Sequence, residues 1–260
     1  MRYVLICGLC FALNACVSGG GNNGNGDTAS IPGAQTDASM NPGDVVGEDT
    51  TSDATAADTA AAANVAATVR VINPATGTGA AGVTVSAGGV ETVTDGNGQA
   101  TVDVPSGPYE IALNQAGART HTVVGVAGDA AFEQITYMSP ENITSMVFGS
   151  LGLMDNPERG ILVVGLDLPN LAPAVGAGAS IDKASDNSFV FAGIQAVFAT
   201  EIPSNGQGFL TFPNVEPGEV NVTVSYPQGS CRIFPAETEA VPVTVTAGEV
   251  TVVAYTCRPE

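Results

Sequence analysis

Positive charge and aromatic side chains are scarce in this sequence of 260 residues. It has 7 Lys and Arg residues against 26 Asp and Glu residues, a formal net charge of −19, and no Trp. Such a chain lacks the cations with which proteins neutralise nucleic-acid phosphates, and anionic lipid headgroups would repel it. The composition therefore excludes nucleic acid as a partner and a basic patch as the means of membrane attachment.

Histidine is equally scarce, and this limits catalytic and metal chemistry. A histidine-dependent triad would have to use His121, the single histidine, yet no Ser lies in a Gly-x-Ser-x-Gly turn. Zinc sites commonly need several Cys or His ligands, which the sequence does not readily supply. His121 lies in the alternating run THTVVGV, so we expect it to be a half-exposed strand residue. We expect no metal, no cofactor and no catalytic residue.

The first fifteen residues have the features of a signal peptide. Arg2 supplies a positive charge, and residues 3–15 form an apolar run that is too short for a comfortable transmembrane helix. The end of this run, Leu13-Asn14-Ala15-Cys16, resembles the lipobox of bacterial lipoproteins. The resemblance implies cleavage before Cys16 and attachment of acyl chains such as palmitate to it. Val17 then favours the bacterial outer membrane. The alternative is an ordinary secretory signal peptide.

Residues 16–64 are expected to form the lipidated Cys16 and a disordered acidic linker. They include the stretches SGGGNNGNGD and TTSDATAADTAAAAN, with seven acidic residues and no Lys or Arg. Such a segment buries too little apolar surface to offset its ordering entropy, and its like charges extend it. A coil of about 48 residues has a root-mean-square reach of roughly 35 to 40 Å, which would hold the following residues off the membrane.

Alternating apolar residues begin at Ala66 and predict β-strands. The alternation runs through four segments, which bury one face each: Val69 and Val71; Val83 and Val85; Val102 and Val104; Tyr109, Ile111 and Leu113. Turn residues separate these segments, among them Asp95-Gly96-Asn97-Gly98, which we interpret as a tight turn because it lacks the Glu that completes a calcium loop. Short alternating strands at this spacing predict an antiparallel β-sandwich over residues 65–138.

The segments GAAGVTVSA, TDGNGQATV and PSGPYEIAL resemble the carboxypeptidase regulatory-like family of transthyretin-like and CnaB-like sandwiches. The resemblance implies the fold and says little about function. The second half repeats the pattern in SNGQGFLTFPNVEPGEVNVTVSY, and VPVTVTAGEVTVVAYTC is expected to form a hairpin that turns at Ala247-Gly248. The expected fold class is all-β, with two tandem antiparallel β-sandwiches, the second over residues 159–260.

Residues 139–158 separate the two modules and are expected to contain a short helix. Ser139 is suited to the N-cap, Pro140 to the first helical position and Glu141 to the first turn. Gly152 or Asn156-Pro157 would end the helix. An amphipathic membrane helix is the alternative, although the segment up to Asn156 has no basic residue.

Two cysteines, Cys231 and Cys257, remain in the body of the exported chain. An even pair in an oxidising compartment predicts a disulfide. Closing a loop of this length stabilises a domain by roughly 3 to 4 kcal/mol in the chain-entropy model. The predicted bond would hold the last strand of the second module in place.

These features predict a non-enzymatic, lipid-anchored protein of the cell envelope. The N-terminal lipid would bind the membrane, and loops at the ends of the sandwiches would bind an envelope protein or a glycan. A related hypothesis is an accessory subunit of an envelope complex that pairs through an edge strand. A hydrolase with an unrecognised carboxylate site is the alternative from another class. Aromatic residues are only 5% of the chain, which argues against a sugar-binding platform.

Overall fold

The computed structural model describes residues 63–74, 76–239 and 242–260. The predicted signal peptide, Cys16 and the linker up to residue 62 lie outside the described residues. The regular structure of the described residues consists of eighteen β-strands and one α-helix, so the all-β class is confirmed. The first strand begins at Asn64, and Ser106 donates a backbone hydrogen bond to Ala63. Within the described residues, regular structure therefore begins just before residue 65.

The first half of the described chain contains eight strands and one helix. The strands are β1 (Asn64–Asn73), β2 (Thr78–Gly79), β3 (Thr84–Ala87), β4 (Val90–Val93), β5 (Gln99–Pro105), β6 (Gly107–Asn114), β7 (His121–Ala127) and β8 (Phe132–Tyr137). Helix α1 follows at Glu141–Ser150. The expected alternation is confirmed, because Val69, Val71, Val83 and Val85 are all fully buried.

The second half contributes ten strands. They are β9 (Gly160–Asp167), β10 (Gly178–Ile181), β11 (Phe189–Ala192), β12 (Gln195–Phe198), β13 (Phe209–Val215), β14 (Gly218–Val220), β15 (Val222–Ser225), β16 (Gly229–Ile233), β17 (Val243–Val245) and β18 (Val250–Pro259).

The largest sheet has ten strands and takes them from both halves of the chain. Its order is β12-β11-β13-β9-β18-β7-β6-β3-β4, and β16 also pairs with β18. Strand β18 lies parallel to both β9 and β7, with Val252 opposite Val163 on one side and Val123 on the other. Two separate tandem sandwiches stay a prediction, because β18 joins the strands of both halves in one continuous sheet.

Parallel pairing is a departure from the purely antiparallel sheets that the sequence predicts. Strand β1 pairs with β5 antiparallel but with β8 parallel. Parallel neighbours require a crossover connection. Here the chain between β1 and β8 forms β3, β4, β6 and β7 of the large sheet, in addition to β2 and β5, which pair with β1. Alternation of apolar residues within one strand carries no information about the direction of the neighbouring strand. The sequence pattern therefore could not reveal the parallel pairing of β1 with β8.

Two main hydrophobic clusters hold the strands together. The first-half cluster packs Val69, Val71 and Val102 against Ile111 and Leu113. The second-half cluster comes from residues 124–257 and includes Leu162, Val164, Leu210, Ile233 and Tyr255. A third, smaller cluster lies around Phe148, Ile161, Phe189 and Val250, on α1 and the large sheet.

The expected hairpin at Ala247-Gly248 is wrong. Gly248 does turn the chain with φ +74°, but the two flanking strands enter different sheets. Strand β17 pairs with β14 in a two-stranded sheet, whereas β18 enters the large sheet. The reason is packing, since Val243 and Val245 lie in the same buried cluster as Val253 while their strand pairs with β14.

Helix α1 is confirmed, with a different N-terminus from the one expected. Pro140, with ψ 148°, takes the N-cap position, and no side chain caps the helix, so Ser139 is not the cap. A tertiary contact replaces it, because the Glu141 N–H donates to the carbonyl of Gly117 at 2.9 Å. At the other end Gly152, with φ +70°, ends the helix as expected. None of the helical structure in the described ranges is both long and apolar enough to span a membrane.

Candidate functional site

The two faces of the large sheet carry different sets of apolar residues in the second half. Val190 on β11 and Leu210 on β13 point into the second-half cluster. Successive side chains alternate across a strand, so Phe189, Phe191 and Phe209 lie on the opposite face. Helix α1 covers part of that face through Phe148 and its neighbours.

Five aromatic side chains form a continuous row across this face, which we call the aromatic row. Its ring centroids are separated by 6.0 Å from Tyr137 to Phe209, 6.1 Å to Phe191, 6.0 Å to Phe189 and 6.3 Å to Phe148. Exposure increases along the row, from 2% at Phe148 to 41% at Tyr137. Five of the fourteen Phe and Tyr residues of the sequence therefore lie in one row, which the composition alone did not show.

Asp167 ends β9 beside the exposed end of the aromatic row. A Cβ at Gly208 would overlap Asp167 Oδ1, so only glycine lets the carboxylate sit against the backbone there. Burial raises the pKa of Asp167 to about 7. The pKa of Tyr137 is also raised, first by burial and second by the negative charge of Asp167. We call Asp167 and the rings of Tyr137 and Phe209 the Asp167 site.

Sequence reasoning missed the Asp167 site, although one signal for it is present. In β11 and β13, both alternating sets of side chains include large apolar residues: FVFA and FLTF. A strand that is apolar on both sides is buried on both faces. That pattern indicates that a second layer covers the large sheet, while Asp167 itself looks like any other strand-end carboxylate.

His121 is buried, and the expected half-exposed position is wrong. Its exposed fraction is 6%, because β7 lies inside the large sheet between β6 and β18. Nδ1 lies 2.9 Å from the Arg119 carbonyl oxygen, and burial lowers the pKa of the imidazole. The histidine is therefore a neutral packing residue.

Arg119 forms a buried ionic contact close to helix α1. Its side chain is only 7% exposed and pairs with Asp155, with Glu141 at 3.9 Å as a second partner. Asp155 follows the helix, and Glu141 begins it. Arg119 thus fixes both ends of the connecting segment against the loop that precedes β7.

The predicted disulfide between Cys231 and Cys257 is confirmed. The two residues are directly opposite each other on the antiparallel strands β16 and β18, with their Cα atoms 3.9 Å apart. Cys257 is fully buried in the second-half cluster. The bond therefore fixes β18, the strand that both halves share, to its antiparallel neighbour.

Asp95 stabilises the tight turn that the sequence predicts at residues 95–98. Its Oδ1 accepts hydrogen bonds from the backbone N–H groups of Asn97 and Gln99, both at 2.9 Å. These bonds lower the pKa of Asp95. Across the described ranges, no group of three or more His, Cys, Asp or Glu side chains is arranged to hold a metal ion.

Two open grooves bear on the hydrolase hypothesis. A groove of about 350 Å³ on the first half is lined by Ser86, Glu91, Glu110 and Thr122 among others, and both glutamates are exposed. A second groove, of about 620 Å³, includes Lys183 and Asp186. Paired-carboxylate hydrolysis needs two acids that face each other across the substrate. The hydrolase alternative stays a prediction.

Comparison with known proteins gives no family for this chain. No protein-family model matches it, and no curated protein matches it. Among solved structures, a streptococcal ancillary pilin is 14% identical with a TM-score of 0.24, and the minor pilin GBS52 of Streptococcus agalactiae is 15% identical with a TM-score of 0.25. The shaft pilin SpaA of Lactobacillus rhamnosus GG is 9% identical with a TM-score of 0.23.

The extent of these alignments differs from one structure to the next. They cover 76%, 75% and 76% of this chain, and 63%, 97% and 99% of the respective pilins. The chain therefore spans less than two thirds of the length of the ancillary pilin. Similarity at this level establishes no shared function, and the all-β architecture rests on the strands described above.

Proposed function

We propose that this protein is a lipid-anchored, non-enzymatic component of the bacterial cell envelope, with a structural or binding role. The observation that carries the proposal is the exposed end of the aromatic row, which ends in Tyr137 and the Asp167 carboxylate. Clustered aromatic side chains with a polar group at their edge are the common make-up of binding surfaces. The surrounding sheet gives this surface a rigid support.

The proposed attachment rests on the N-terminal sequence. Residues Leu13 to Cys16 resemble a lipobox, and three acyl chains on Cys16 would hold the protein at the outer membrane without any basic patch. The acidic linker would then place the sandwich fold away from the bilayer. A relationship to carboxypeptidase regulatory-like modules is part of the proposal and rests on the segments GAAGVTVSA, TDGNGQATV and PSGPYEIAL.

Metabolic labelling tests the attachment. Cells expressing the full chain are grown with an alkyne analogue of palmitate, and the labelled protein is followed through membrane fractionation. We expect label in the outer-membrane fraction for the wild type and none for Cys16→Ser. Cys10→Ser, in the segment that would be cleaved off, is the matched control and should label normally. Labelled Cys16→Ser protein would refute the lipid anchor.

A crosslinking experiment tests the binding role. A photoreactive amino acid replaces Tyr137 in one variant and Glu219 in another, and intact envelopes are irradiated. Glu219 is exposed on β14, which pairs with β17 outside the large sheet, so it serves as the control position. We expect a defined adduct from position 137 and none from position 219. Equal adducts from both positions would contradict a specific binding surface.

A further inference from the structure

The carboxylate at the Asp167 site has no counter-ion. Within residues 63–74, 76–239 and 242–260, no side chain donates a hydrogen bond or an ion pair to it. Burial alone raises the pKa of Asp167, with no offset from a nearby cation. Arg70 lies close enough to act on Tyr137 and lowers the pKa of that phenol, but it does not offset the shift at Asp167. A partly buried acid without a partner is costly to ionise.

The rings next to this carboxylate are tilted relative to one another. The planes of Tyr137 and Phe209 meet at 38°, and those of Phe209 and Phe191 at 59°. Tilted rings do not form the flat platform on which a row of sugar rings would stack. A single cation has no need of such a platform, because its attraction to a ring requires only one ring face within about 6 Å.

Charge favours the same kind of ligand. Residues 65–260 contain 6 Lys and Arg residues against 19 Asp and Glu residues, an excess of 13 negative charges. A field of this sign attracts cations to the surface and speeds their association. Positive charge on the partner would therefore complement both the local carboxylate and the molecule as a whole.

We propose that the Asp167 site binds a cationic side chain, a lysine ammonium above all, presented by a basic segment of an envelope protein. The ammonium would contact the faces of Tyr137 and Phe209 and donate a hydrogen bond to the Asp167 carboxylate. This inference rests on the proposed binding function and adds the chemical class of the partner. It assigns to the ligand the role of counter-ion, which the described residues leave open.

The pH dependence of binding follows from the groups at the site. Asp167 must be ionised to pair with an ammonium, and its pKa is raised to about 7. Lysine keeps its charge across the neutral range, and Tyr137 stays neutral because its pKa is raised from an already high value. Affinity should therefore rise about tenfold from pH 6 to pH 8, in step with the ionised fraction of Asp167.

Titration calorimetry on the full-length protein in non-ionic detergent tests the proposal, with acetylated tetralysine amide as the probe. Asp167→Asn should weaken binding by about ten- to a hundredfold at pH 8 and remove the pH dependence, because the hydrogen bond from the ammonium to a charged group is lost. Tyr137→Leu should weaken binding about two- to fivefold through the lost ring face. Glu219→Gln removes one negative charge elsewhere and should change affinity less than about twofold.

Three outcomes would overturn the proposal. Equal losses for Asp167→Asn and Glu219→Gln would mean that tetralysine binds only the overall charge. Binding of chitotetraose, titrated in parallel, without binding of tetralysine would assign the surface to carbohydrate. No binding of either probe would remove the cation assignment altogether. None of these outcomes alters the labelling of Cys16 or the crosslinking pattern, so a failure here is distinguishable from a failure of the proposed function.

Discussion

Replacing Asp167 by asparagine should make the protein more stable, by an amount that depends on pH. The pKa of the carboxyl is raised by burial from 3.8 to about 7. Between pH 3.8 and about pH 7, a carboxyl with this raised pKa holds more protons in the folded protein than in the unfolded chain. The contribution of Asp167 to stability is therefore fully present below about pH 4 and is lost as the pH rises towards 7.

The size of the effect follows from the pKa shift. At pH 8 the ionised folded state carries about 4 kcal/mol of desolvation cost, since each pKa unit is worth about 1.4 kcal/mol. At pH 5 the carboxyl is protonated in the folded protein, and the cost falls to about 2 kcal/mol. The asparagine amide has no charge to desolvate, so the free energy of unfolding of Asp167→Asn should exceed that of the wild type by these amounts.

Urea denaturation at pH 5, 6, 7 and 8 measures this difference. The range stays above the sequence pI of about 4.1, where a protein without net charge precipitates easily. Glu219→Gln is the control and should give only a small change, because Glu219 is exposed on β14. A gain in Asp167→Asn that does not change between pH 5 and 8 would refute the reasoning, as would a loss of stability at pH 8.

Three further perturbations test the packing of the fold. Replacing Cys231 and Cys257 together by serine should lower the free energy of unfolding by about 3 to 4 kcal/mol, measured by urea denaturation; a reducing agent should bring the wild type close to the variant. Arg119→Met should cost about 2 to 3 kcal/mol, because it leaves the partly buried Asp155 without its partner, and thermal denaturation should show a clear drop in Tm. Gly98→Ala should prevent tight packing of the β1–β5 region, because its φ is +76° and a Cβ would overlap the carbonyl oxygen of Val71; a wild-type Tm would contradict this.

The strands of this protein could be predicted from the sequence because alternation is a local property. The alternate spacing of Val102 and Val104 is enough by itself to indicate a strand with one buried face. The helix after Met138 was also predictable, since Gly152 stops it by a local conformational preference. Its N-terminus was not, because the group that satisfies the Glu141 N–H is a carbonyl more than twenty residues earlier in the chain.

The aromatic row and the central position of β18 could not be predicted in the same way. Both depend on which strands become neighbours across the sheet, and Tyr137 and Phe209 meet only after a separation of 72 residues (209 − 137). The disulfide was predictable because two cysteines leave only one pairing. Asp167 was not, because its unusual pKa arises from burial in the assembled fold.

Strand β18 has a consequence for how the polypeptide matures. It is the last described strand along the chain, yet it occupies the middle of the ten-stranded sheet. The ribosome makes residues 250–259 after all the other strands of that sheet. If those strands assembled before β18 was made, the central position of the sheet would be empty. Pairing over such distances is slow, so the large sheet closes late, after all of its other strands have been synthesised.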